Sequence, residues 1–142
     1  MKYILASEQP QTYMLVFDTG DDVLKALTAF AKENQIQSAH LSGIGAFSSA
    51  KVGYYDFSIH DYKPIPVNEQ AEVLSFLGDI TLYQQEPKIH AHVGLGRSDG
   101  ATVGGHLLQA TVKPTLELVL TALPVELNRE MDSETRIPLI KL

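Results

Sequence analysis

Alternation of apolar and polar residues dominates the chain, interrupted once by helical spacing. Residues 3–5 and 12–17 are rich in aromatic and β-branched side chains and read as strands, with Ser7-Glu8-Gln9-Pro10-Gln11 as a loop between them. Val23, Leu24, Leu27, Phe30 and Ala31 then recur at helical intervals, which predicts a helix over about residues 22–34 with one buried stripe. Lys25, Thr28, Lys32 and Glu33 fall on its outer side, and Thr19 or Asp21 is the expected N-cap. From Ile36 onward the pattern is strand-like. Residues 37–44 and 50–56 form two strands joined near Gly45-Ala46-Phe47-Ser48-Ser49. Residues 57–68 carry Pro64 and Pro66 and read as a long loop or a short edge strand, since proline has no N–H to give a central ladder. Residues 71–83 form a long strand with Gly78 as a bulge or bend, followed by strands over 88–96, 104–112 and 115–123. The tail over 124–142 reads as irregular, with one turn near 128–131. One helix and many strands make an α+β domain: an amphipathic helix packed on a large mixed, mostly antiparallel sheet.

Composition narrows the chemistry. A chain of 142 residues fits one domain. No apolar run approaches the roughly 20 residues of a membrane-spanning helix. There is no cysteine, which removes disulfides, thiolate metal sites and a cysteine nucleophile, and fits a reducing compartment. The first residues meet charge too early for a signal peptide, so a cytoplasmic protein is expected. Lysine and arginine number 11 against 17 acidic residues, a net charge of −6 with no basic run. Nucleic-acid affinity rests on cations that neutralise phosphates, so this balance disfavours direct DNA binding.

The informative stretch is residues 88–112. His90 and His92 stand two apart on a strand and share one face. Ile89, Ala91, Val93 and Leu95 form the other, apolar face, which belongs to the core. Gly94 and Gly96 continue the histidine face and leave space beside the rings. Arg97-Ser98-Asp99-Gly100 is a hairpin signal. A three-residue loop centred on Asp99 sets residue 106 opposite residue 92, and residue 106 is a histidine. Directly opposed residues point to the same face with Cβ atoms about 4.5–5.5 Å apart. His90 then lies one diagonal step away. A two-residue loop at Asp99-Gly100 would instead turn His106 to the opposite face, unless a bulge at Gly104-Gly105 restored the phase.

Three imidazoles suffice for zinc and also suit iron, copper or nickel. Three protein ligands leave a position for water or substrate, the pattern of catalytic zinc. His90, His92 and His106 are therefore the candidate ligands of a divalent metal, with zinc the first choice and metal-assisted hydrolysis or lyase chemistry on a small molecule the simplest reaction class. Whether turnover occurs stays open at this level, as does a metal-free pocket lined by the histidines. A carboxylate is expected to orient a ligand ring, and Glu72 and Glu117, both in apolar strands, are the candidates. His40 and His60 lie elsewhere and are not expected in the site. Tyr54, Tyr55 and Phe57 read as strand packing rather than as a stacking surface. Gly43-Ile44-Gly45 lacks the lysine and the strand–loop–helix context of a phosphate loop.

Several segments together resemble the PPC (plant and prokaryote conserved) domain. They are Ala71-Glu72-Val73-Leu74-Ser75-Phe76-Leu77-Gly78-Asp79-Ile80, His90-Ala91-His92, Asp99-Gly100, Gly104-Gly105-His106-Leu107 and Thr115-Leu116-Glu117. Leu41-Ser42-Gly43-Ile44-Gly45-Ala46 resembles the first glycine motif of that family, and Leu127-Asn128-Arg129-Glu130-Met131-Asp132 its closing segment. The resemblance covers nearly the whole chain, a single domain over residues 1–142. It implies an α+β fold, a homotrimer, and a clustered set of three histidines suited to a metal in prokaryotic members. Plant members carry the domain behind an AT-hook, an Arg-Gly-Arg-Pro element that enters the DNA minor groove, and the family's DNA-binding label comes from them. This sequence contains no such element. The histidines are largely absent from the plant domains, so the resemblance places this chain on the histidine side, with a DNA-binding or transcription-regulatory module as the alternative.

Overall fold

The structure is a computed structural model that describes residues 1–142. Its elements are β1 (Lys2–Glu8), β2 (Gln11–Phe17), α1 (Val23–Glu33), β3 (Ala39–Asp56), β4 (Asp61–Val67), β5 (Ala71–Tyr83), β6 (Glu86–Gly96), β7 (Thr102–Ala122), β8 (Asn128–Met131) and β9 (Pro138–Lys141). They form one sheet in the order β1-β2-β7-β3-β5-β8-β9, with β4 on β3 and β6 bridging β5 and β7. Because β3 also pairs with both β5 and β7, the four strands β3, β5, β6 and β7 close a ring. All pairings are antiparallel except the parallel bridge from Leu82 on β5 to Asn128 on β8. The expected class, one helix on a large mixed and mostly antiparallel sheet, is what the chain adopts.

Several predicted elements are longer than the sequence suggested. The two strands on either side of Gly45 are one, β3, and those on either side of Lys113-Pro114 are one, β7. Gly45, at φ 159°, marks an irregularity in β3, and a Cβ there would lie 2.4 Å from the Thr115 carbonyl oxygen, so only glycine lets β3 and β7 stay paired. The expected loop over 7–11 shrinks to Gln9-Pro10, since Ser7 and Glu8 stay paired with Thr12 and Gln11. Of the two readings of 57–68, the edge strand holds: β4 pairs only with β3, an edge position that tolerates proline. Gly78 is not a bulge. It pairs in register with Leu41 and Ala91, and it is glycine because a Cβ would meet the His90 carbonyl oxygen at 2.5 Å. The irregularity of β5 is at Leu74, an extra residue between Val73 and Ser75. The tail is also more ordered than expected, with β8 and β9 forming a hairpin closed by Asp132, which accepts from the Thr135 amide and hydroxyl at 2.7 Å each.

The helix buries Val23, Leu27, Phe30 and Ala31, as its spacing predicts. Phe30 meets Tyr3 and Tyr13 edge-on, with centroids 4.8 and 5.1 Å apart, which ties the helix to β1 and β2. The cap is neither Thr19 nor Asp21. Asp22 takes that place, with extended backbone and its carboxylate accepting from the Lys25 amide at 3.2 Å. Thr19 instead donates to the Pro114 carbonyl, and Asp21 accepts from the Asp18 amide. Replacing Asp22 with alanine is expected to cost about 1 kcal/mol. For a chain of this size that lowers the melting midpoint by roughly 2–4 °C in a thermal scan.

A three-histidine centre beside the ring closure

The β6–β7 hairpin has the three-residue loop. The Arg97 amide donates to the Ala101 carbonyl and the Gly100 amide to the Arg97 carbonyl, both at 2.9 Å, with Gly100 at φ 81°. Asp99 steadies the loop by accepting from the Ala101 amide at 2.9 Å. The register that follows sets His92 against His106, Val93 against Gly105 and Gly94 against Gly104. Ala91, Val93 and Leu95 point into the core, and the two histidines of β6 point away from it. The other loop length, with a compensating bulge at Gly104-Gly105, is not used.

The three rings meet. His90 lies 5.2 Å from both His92 and His106, centroid to centroid, and His92 lies 5.5 Å from His106. One ligand nitrogen from each falls within 4.8 Å of the others. Rotation of the rings can draw such a set in to metal–nitrogen distances of about 2 Å. At His106 the strand β7 changes partner, pairing with His92 on one side and Gly53 of β3 on the other. Gly105, at φ 155°, makes that exchange, since a Cβ there would lie 2.7 Å from the Gly53 carbonyl oxygen. Gly53 also clears space for Tyr62 of β4, whose ring stacks on His106 at 4.5 Å.

Burial dominates the electrostatics. It pushes His106 down to about 4, helped by the charges of His90 and His92, and it lowers His92 as well. His106 Nδ1 is buried without a hydrogen-bond partner. Both rings are thus held unprotonated near neutral pH, the form a metal ligand requires. The residues present therefore fit a divalent ion.

The expected carboxylates are elsewhere. Glu72 pairs with Gly96, four residues beyond His92, and together with Glu117 it lines a separate groove with Ile44, Leu74 and Pro114. The carboxylate at the centre is Asp79, which pairs with His90 across β5 and β6 and sets its Oδ2 3.3 Å from His90 Nδ1. Burial opposes its charge, but His90 and Arg129 outweigh burial and hold its carboxyl below the usual range. Arg129 of β8 is buried and donates from Nη2 to Asp79 Oδ1 at 2.7 Å. Sequence reading missed Asp79, Arg129 and Tyr62 as site residues. The one available signal for Asp79 was the β5–β6 turn, and it is concealed because Gln84 and Gln85, both at positive φ, occupy a place where asparagine and glycine are usual.

His40 and His60 stay outside the cluster. His40 is exposed and pairs with Asp79 and Thr121, while His60 sits in the β3–β4 turn at φ 51°. Tyr55 packs against Phe57 and Tyr62 as expected, but Tyr54 and Phe57 are largely exposed. The open face of the sheet also carries an apolar row. Ile4, Met14, Val119, Ser42, Leu77, His92 and His106 oppose one another strand by strand from the β1 edge to the centre. Ile4, Met14, Val119 and Leu77 are 65, 37, 37 and 55% exposed. No helix is long and apolar enough to cross a membrane.

The family model described as the Plants and Prokaryotes Conserved (PCC) domain matches residues 5–124. Among solved structures, a candidate DNA-binding protein from Ralstonia eutropha JMP134 is 32% identical, covering 99% of this chain and 96% of its own, at a TM-score of 0.89. A metal-containing protein from Archaeoglobus fulgidus is 34% identical, covering 93% of this chain and 94% of its own, at a TM-score of 0.87. A curated relative, the bifunctional protein GlmU of Synechococcus sp. (strain JA-3-3Ab), is 28% identical over 88% of this chain, and the chain spans only 19% of that protein's length.

The hairpin register is sensitive at Gly104, where a Cβ would lie 2.6 Å from the Val93 carbonyl oxygen. Gly104→Ala is expected to lose about 1–3 kcal/mol in urea denaturation, the cost of forcing atoms into a closed space.

Proposed function

The chain belongs to the Plants and Prokaryotes Conserved domain family, and on that footing we propose that it is a metal-binding protein that holds one divalent ion, zinc first, through His90, His92 and His106. The observation that carries this reading is the convergence of three imidazoles on one patch, with a paired carboxylate behind one of them. The A. fulgidus relative is called metal-containing and is 34% identical, which supports it. When bound, such an ion supplies Lewis acidity and an acidified water at its open position. Around it, His92 faces solvent, Tyr62 walls off His106, and the paired Gly94 and Gly104 leave room on the hairpin for a small molecule. Hydrolysis or lyase chemistry on a small molecule is the reaction class we assign.

We assign a homotrimer in the cytoplasm. The exposed row from Ile4 through Met14, Val119 and Leu77 supports a subunit contact, since it is an apolar path that ends at His92. The absence of cysteine fits the compartment. DNA binding is the second reading, favoured by the name of the R. eutropha relative and opposed by the net charge of −6.

Metal content of natively purified protein, measured by mass spectrometry beside light scattering, tests the first reading. About one equivalent per chain is expected in a particle of three chains, and His92→Ala should lose it. Unchanged metal in that variant refutes the ligand set. Val119→Lys should dissociate the particle while the chain stays folded. For the second reading, a salt titration with duplex DNA is expected to show no more than non-specific affinity, roughly 10⁻⁴ to 10⁻⁶ M.

A further inference from the structure

Beside the histidine patch lies a small cavity that metal binding leaves unused. Its volume is about 100 Å³, and Tyr62, Lys88, His90, His106 and Arg129 line it, whereas His92 does not. Lys88 stands two residues before His90 on β6 and shares its face. It is exposed and makes no ion pair. Arg129 is fixed by bonds from Nε to the Thr81 hydroxyl, from Nη1 to the Pro138 carbonyl and from Nη2 to Asp79 Oδ1. The Tyr62 ring is held by its stack on His106, and its phenol makes no hydrogen bond within the chain. No carboxylate lines the cavity, since Asp79 does not reach it and is paired with Arg129. Ile137 and Leu139, on the returning arm of the C-terminal hairpin, give it an aliphatic wall. Burial leads in lowering the proton affinity of His106, and Lys88 and Arg129 add to it after His90 and His92, so both cations act on the cavity wall.

We infer that this cavity is a subsite for a short aliphatic carboxylate, received by the Lys88 ammonium and the Tyr62 hydroxyl, and that the small molecule brought to the histidines is a carboxylic acid in its ionised form. A carboxylate only accepts hydrogen bonds, whereas an ammonium only donates and a phenol can donate. Hydrogen bonds to an ionised group are about twice as strong as neutral ones. Size sets the length of the ligand. Water in the liquid takes about 30 Å³, so the cavity holds roughly three waters' worth of ligand, the bulk of a two- or three-carbon acid. The donors meet the carboxylate, and Ile137 and Leu139 meet the carbon tail. Inorganic phosphate is of similar bulk but carries oxygens on every side, and some would be pressed against the aliphatic wall without a donor. A nucleic-acid strand is far too large to enter. A cation on the three histidines adds to the attraction for an anion here. The assignment of the substrate rests on the metal reading above, whereas the subsite is a property of the metal-free chain.

The test is a titration of the metal-free protein with sodium propionate near neutral pH, followed by the ring signals of Tyr62 and His106 in NMR spectra. Saturable shifts with a dissociation constant of about 1–10 mM are expected, the range open to a ligand of five non-hydrogen atoms. Propionamide, of the same shape without the charge, should leave the signals unmoved. Lys88→Met is an exposed change that spares the fold, and it should weaken propionate about 10-fold. Tyr62→Phe keeps the stacked ring and loses only the hydroxyl, and it should weaken propionate roughly 3- to 10-fold. Absence of saturable shifts, propionamide bound as tightly as propionate, phosphate bound more tightly, or propionate affinity unchanged in both variants each overturns the subsite. The titration is repeated on protein loaded with zinc. Propionate that binds only then, and equally well in Lys88→Met, sits on the metal and overturns the subsite. A wild-type chain that binds propionate at these residues but takes no zinc refutes the metal reading and supports the subsite.

Discussion

Everything at the candidate centre depends on the phase of one hairpin. Strand side chains alternate with a period of two, so a loop one residue shorter would turn all of β7's first half over relative to β6. The core would then receive His106 in place of Leu107, and the face now bearing three imidazoles would bear two. Burial enforces the observed phase: Ala91, Val93, Leu95 and Leu107 are each no more than 4% exposed. The site is therefore specified by residues that take no part in it. The hydrophobic face of β6 and the opening of β7 select the register, and the histidines occupy the positions that this register makes adjacent.

That logic explains which parts were legible. The helix was legible because five apolar residues kept its period, and the histidine set because Asp-Gly announces a turn and the three-residue loop, one of its two readings, brings the histidines to one face. The Asp79–His90 pair follows from the same kind of phase reasoning, yet the turn that sets it is built of Gln84 and Gln85, which signal nothing. Arg129 was hidden for a different reason. Its segment has too few apolar residues to show alternation, and β8 is held by a single bridge to β5, by its hairpin partner β9 and by side-chain bonds. Strand ends were misjudged at Gly45 and Lys113-Pro114 because both look like punctuation. In long strands such residues serve as irregularities within continuing pairings.

Charge and burial act together around the centre. His106 lies beneath Tyr62 and loses its affinity for protons. Asp79, half buried, keeps its charge only because Arg129 and His90 face it. Imidazole donors backed by an anion are electrostatically receptive to a cation. A phosphate backbone would find little to hold on this face. The local arrangement thus agrees with the net charge of the chain.

The glycines opposite one another beside the histidines have unequal freedom. At Gly94 an added Cβ would touch only the Ser75 hydroxyl, at 3.2 Å, whereas at Gly104 it would strike the backbone of β6. Descendants of this sequence can therefore narrow the clearing next to His92 and His106 by one route only, through position 94. Position 104 is held to glycine by the fold itself, whatever the ligand. Divergence of ligand preference within such a lineage is channelled to β6, while the facing side of the clearing is inherited unchanged.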